Sequence, residues 1–151
     1  MFIQHSCCLN VLKDNDLAMN QPPVILFDGI CNLCCGWVQF LIRKDKKMKF
    51  KFASIHSEKG QRMLHSIGKG NYGMETVIYL KGNQCFQKSS AVLEILSDLG
   101  GVWRLSGILK LIPKPILDEM YQYIAKKRYR YFGKRTSCFF PDPENQKRFL
   151  T

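Results

Sequence analysis

The chain has 151 residues, 46% hydrophobic and 23% charged, which suits one soluble globular domain with its own core and is too short for two comfortable ones. Twenty-three Lys and Arg against 12 Asp and Glu give a formal net charge of +11, a balance that draws anionic partners of any kind. The seven cysteines are odd in number and unevenly spaced, with Cys7–Cys8 and Cys34–Cys35 adjacent, which excludes the disulfide framework of a small secreted domain. Residues 1–21 form an extension with little pattern, expected to be poorly ordered. It lacks a basic leader, an apolar run and a cleavage site, and Asp14 and Asp16 argue against a transit peptide. The longest apolar candidate, ILKLIPKPIL (108–117), is broken by Lys110 and two prolines, so no membrane span is expected. The reading is a cytoplasmic protein with mostly reduced thiols.

Regular structure is expected from Pro22-Pro23 onward, as a single domain over 22–151. VILF (24–27) suits a buried strand. Leu33, Trp37, Phe40 and Leu41 then share one helical face, and Met48 to Phe52 alternates as a half-buried strand. A weaker helix over 58–67 ends at Gly68, and GNYG (70–73) is loop. TVIYL (76–80) turns through Lys81-Gly82-Asn83 into QCFQ (84–87), which makes a hairpin. Ser89 or Ser90 would cap a helix over 91–99 that stops at Gly100-Gly101. A helical segment surrounds Trp103 to Leu111. After Pro113-Lys114-Pro115 a long helix runs from Ile116 to Tyr131 and ends at Gly133. The order β-α-β-α-β-β-α, with a right-handed parallel crossover first and a hairpin later, is that of a thioredoxin-like α/β fold with an additional C-terminal helical segment.

In that layout Cys31 of ILFDGICNLCC arrives at a helix N-terminus, where backbone N–H groups and the helix dipole favour a thiolate. Cys34 lies one turn on. Inside a helix two such residues sit slightly too far apart for a disulfide, but with Cys31 at the cap the pair can close. Cys31 is then expected to be the exposed nucleophile and Cys34, among Trp37, Val38 and Leu41, the shielded resolving thiol. Cys35 is taken as a passive thiol. Asp28 either accepts the Cys34 proton as a general base or bonds the backbone of its own turn, with the two readings equal in weight. Zinc would need a second ligand knuckle beside the CxxC, and Cys85, Cys138, His56 and His65 are scattered singles. His56 and His65 are assigned no role. Arg128 shares a helical face with Leu117, Tyr121 and Ile124, and a cation there needs a partner such as Asp28.

The same residues resemble the DCC family of predicted thiol-disulfide oxidoreductases, named for Asp-x-x-Cys-x-x-Cys, here Asp28 to Cys34. The likeness continues through WVQFLIRKD (37–45), FKFASIHSEKGQ (50–61), KSSAVLEIL (88–96), LIPKPILDEMYQYIAKKRYRYFGK (111–134), Cys138 and KRFL (147–150). It implies a thioredoxin-like fold and a dithiol–disulfide activity carried by Cys31 and Cys34, with Asp28 the third motif residue. Partners would be a thiol or disulfide substrate, protein or small molecule, and an electron donor or acceptor, with no cofactor and no metal. Thioredoxins place a cis-proline before the third strand; Gly73-Met74-Glu75-Thr76 has none. Cys138 is a candidate third redox thiol. The competing function is a basic module for nucleic acid or another anionic surface, built on clusters 43–51 and 126–135, with the CxxC incidental. A solvated helix face is the preferred account of the second cluster, which sets nucleic acid aside.

Overall fold

The computed structural model describes residues 22–68, 76–82, 84–136 and 143–150. The N-terminal extension with Cys7 and Cys8, the 70–73 loop, nearly all of the 73–76 segment and Cys138 therefore lie outside the described residues.

Strand β1 (Val24–Phe27) is one of two inner strands of the sheet. It pairs in parallel with β2 (Lys51–Ser54) and antiparallel with β3 (Ile78–Lys81), which forms a hairpin with β4 (Gln84–Gln87); the sheet order is β2-β1-β3-β4. Every residue of β1 is buried because both faces of the sheet are covered. Ile25 and Phe27 point into a core with Phe50, Phe52, Tyr79, Val38, Leu41, Ala91 and Ile95. Val24 and Leu26 point the other way, toward Ala53, Ile55, Ile78, Leu64 and Ile67. Helices α1 (Asn32–Lys44) and α3 (Lys88–Leu99) cover the first face and α2 (Glu58–Ser66) the second. This is the expected thioredoxin-like α/β arrangement. A 3₁₀-helix (Gly101–Leu111), a long α4 (Lys114–Phe132) and a short α5 (Pro143–Gln146) follow.

The elements start and stop where glycines and side-chain bonds require. Gly68, Gly100 and Gly133, at φ 70°, 79° and 76°, close three helices in the left-handed region. Two expectations shift and a third, the helical segment around Trp103 to Leu111, is borne out and refined. The second strand begins at Lys51 rather than Met48, because Met48 sits at φ 50° in a turn held by its N–H to Asp45 O at 3.1 Å. Helix α3 begins at Lys88, and Ser89 is no cap: its hydroxyl bonds the Asp118 carboxylate of α4. The Trp103–Leu111 segment is a 3₁₀-helix, anchored by Trp103 edge-on to Phe40 at 5.0 Å.

The chain end is fastened to β2. Phe52 N–H bonds Arg148 O at 2.8 Å and Leu150 N–H bonds Phe52 O at 2.7 Å. The buried Arg148 guanidinium pairs with buried Asp45 at 2.5 Å and donates to Phe50 O at 3.3 Å. KRFL is thus a structural clamp on the strand that leads toward the site.

Candidate active site

Phe27 ends β1, and Asp28-Gly29-Ile30 turns the chain into α1, with Cys31 N–H to Asp28 O at 3.3 Å. Cys31 occupies the N-cap in extended geometry (φ −88°, ψ 122°), and no side chain caps the first turn. No carboxylate occupies that turn to oppose a negative charge. Cys34 follows within the same turn, facing Cys31 closely enough for a thiol–thiol hydrogen bond, and both are free thiols. Burial first, then the neighbouring Cys31, pushes the Cys34 thiol up to about 12, with Arg128 pulling the other way.

Cys34 is 5% exposed, inside the core as expected, but Cys31 is 0% exposed, where an open thiol was anticipated. The reason is tertiary. Past α4 the segment Gly133–Arg135 crosses the start of α1, and Lys134 pairs with Cys31 as an antiparallel bridge. Asn32 N–H bonds Gly133 O at 3.5 Å and Arg135 N–H bonds Ile30 O at 2.9 Å, while the Asn32 amide donates to Phe132 O at 2.7 Å.

Four donors converge on the buried Asp28 carboxylate: Ile30 N–H at 3.0 Å, His56 Nε2 at 3.1 Å, Arg128 Nη2 at 2.7 Å, and the Tyr129 hydroxyl. Asp28 therefore bonds its own turn and also meets Arg128, the partner considered from the helical face. Arg128 in turn places Nη1 at 3.6 Å from Cys34 Sγ. Burial works against its charge, but Cys34, Tyr129 and Asp28 together hold it above its ordinary range. Burial and the bond to Asp28 push Tyr129 up to about 12. Tyr121 accepts Val77 N–H at 2.9 Å, which ties α4 to the start of β3.

His56 is the residue that sequence reading missed. It lies just after β2, and Ser54 is the register partner of Phe27, so the residues following the two parallel strands emerge side by side. Parallel pairing of the first two strands was expected; carrying its register one step further sets Asp28 opposite Ile55, the neighbour of His56. Cys35 also departs from expectation. It is buried, with Sγ 3.5 Å from Gly29 O, and is disulfide-bonded rather than a passive thiol. Among the described residues no group of three His, Cys, Asp or Glu side chains is arranged to hold a metal ion. No described helix is long and apolar enough to cross a membrane.

A mixed four-stranded sheet that ends its first strand in a dithiol turn, with the second thiol shielded by helix packing, defines a thioredoxin-like dithiol protein. Residues 25–134 match the DCC1-like thiol-disulfide oxidoreductase family, and the chain belongs to it. It is 41% identical over 127 residues to the uncharacterized protein YuxK of Bacillus subtilis (strain 168), covering 84% of this chain and 93% of that one. It is 32% identical over 120 residues to the chloroplastic DCC family protein At1g52590 of Arabidopsis thaliana, covering 79% of this chain and 70% of that one. No solved structure matches.

Proposed function

We propose that the chain exchanges thiols and disulfides through Cys31 and Cys34. The observation that carries this is the pair itself: a free thiol at the cap of α1 and a second free thiol within bonding reach one turn on. As a thiolate, Cys31 attacks one sulfur of a substrate disulfide, forming a mixed disulfide and expelling the other substrate sulfur as a thiolate. Cys34 then gives its proton to the thiolate expelled in the first step and attacks Cys31 Sγ. The second substrate thiolate leaves, and the two electrons have passed from the protein dithiol to the substrate. The reverse sequence oxidises a substrate dithiol.

The surroundings suit that division of labour. With its thiol pushed up to about 12, Cys34 stays protonated and inert until resolution. Arg128, at 3.6 Å, is the cation placed to steady the thiolate when it forms. All four donors to Asp28 are occupied in holding it, which favours a positioning role, fixing Arg128, over proton abstraction. Access to Cys31 requires Gly133–Arg135 to lift, releasing the bonds to Asn32 and Ile30, and Gly133 at φ 76° is the natural pivot.

The test is thiol trapping in glutathione buffers of graded potential, read by mass, on wild type, Cys31→Ser and Cys34→Ser. One two-electron transition, present in wild type and absent from both variants, supports the pair as the redox centre. Folded wild-type protein that forms no Cys31–Cys34 disulfide at any potential refutes the reading.

A further inference from the structure

Away from the dithiol, the elements after α3 expose a patterned apolar surface. Along the 3₁₀-helix Val102, Leu105, Ile108 and Leu111 recur every third residue and are 72%, 66%, 63% and 84% exposed. Three residues per turn stack such side chains in one row. Trp103, packed on Phe40, holds another side of this helix against α1, so the row is presented outward. Ile112 and Pro113 then lead into α4, where Ile116, Met120, Tyr123 and Ile124, all exposed, line an open groove of about 380 Å³ with Glu119. A run of exposed apolar residues on this scale is not explained by packing within the chain.

The charges beside the 3₁₀-helix row are mostly cationic, while Glu119 lies in the α4 groove. From Gly101 to Leu117 there is no carboxylate, and the charged groups are Arg104, Lys110 and Lys114. Lys110 is bonded to Glu94 at 2.8 Å, while Arg104 and Lys114 are exposed. Further along α4, Asp118 is bonded to Ser89 and Arg128 to Asp28, and the remaining Lys126, Lys127 and Arg130 outnumber Glu119. We propose that this face docks onto an anionic membrane surface, with the Val102–Leu111 row and the α4 groove residues seated at the headgroup–acyl boundary and the flanking cations at the phosphate level. An apolar stripe bordered by Lys and Arg meets both needs of such a surface. A second copy of the chain would bring the same cations face to face, with the protein at +11 overall. The chain lies on the bilayer and does not span it. Because α4 turns Arg128 inward toward Cys34 and Met120 and Tyr123 outward, one helix joins the docking face to the dithiol.

The test is co-sedimentation of the full chain with phosphatidylcholine vesicles, with and without about one third phosphatidylglycerol. The expected result is at least about tenfold tighter partition onto the anionic vesicles, weakening as salt is added. Leu105→Ser with Ile108→Ser lowers that partition about tenfold or more, and Arg104→Gln with Lys114→Gln does so to a similar degree. Both variants change exposed side chains, so they keep the wild-type melting temperature and the wild-type thiol titration. Equal partition onto both vesicle types, or none, overturns the proposal. So does a stable dimer by light scattering that Ile108→Ser converts to monomer without any change in vesicle partition, since the occupant is then a second copy.

Discussion

Replacing Arg128 by Met removes the cation that joins the Asp28 carboxylate to Cys34 while keeping an unbranched apolar stem. Both partners of the ion pair are almost wholly buried, and they meet at 2.7 Å. Breaking a buried pair by deleting one member costs about 3–5 kcal/mol, because the survivor is left charged in a poorly solvated place. Here Ile30 N–H, His56 and Tyr129 still serve Asp28, so the lower end, about 3 kcal/mol, is expected. For a chain of this length that is a fall in Tm of about 10 °C. The assay is urea and thermal unfolding of wild type, Arg128→Met, Asp28→Asn and the double variant. The double variant should cost at least about 1 kcal/mol less than the sum of the singles, since each single strands the group that the other removes. Losses below about 1 kcal/mol for both singles, or strict additivity, refute the ion pair as the organising contact of the site.

Two further outcomes follow from particular atoms. The Cys34 thiol is raised from an ordinary 9.0 to about 12, so above the lower value the unfolded chain releases a proton that the folded chain keeps. Stability is accordingly intact below about pH 9 and falls as the pH climbs toward 12; Cys34→Ser, measured by urea unfolding across that window, should flatten the slope, and an unchanged slope counts against the buried thiol. Gly60→Ala should lower stability by about 1–3 kcal/mol even though alanine favours helices, because the added Cβ would lie 1.9 Å from Ser54 O, a backbone atom of β2 that cannot step aside. A melting temperature equal to or above wild type would show that α2 shifts freely on the sheet.

Much of the fold was readable because its signals are local. The uninterrupted apolar run of β1, the alternation around Phe50 and Phe52, and the glycines at 68, 100 and 133 act within a few residues of where they sit. The N-cap geometry of Cys31 is of the same kind, since a strand, a short turn and a helix dictate it together. Where a side chain had two possible partners, local reasoning went astray. Ser89 caps its own helix in a peptide-level view but finds Asp118 across the α3–α4 contact. Met48 fits the alternation of a strand, yet a turn held by Asp45 keeps it out of the ladder.

The sequence by itself determined the dithiol and its setting: Cys31 at the start of a helix, Cys34 one turn later among apolar residues, and a carboxylate three residues before the first thiol. Only the tertiary structure decided what surrounds them. His56 reaches Asp28 because β1 and β2 run parallel and in register, and Arg128 reaches both Asp28 and Cys34 from a helix a hundred residues further on. Cys31 is covered because Gly133–Arg135 crosses the helix start and satisfies backbone groups there. Spacing along a chain fixes which groups share a turn. Which distant groups neutralise a buried charge or cover a sulfur depends on how the elements pack.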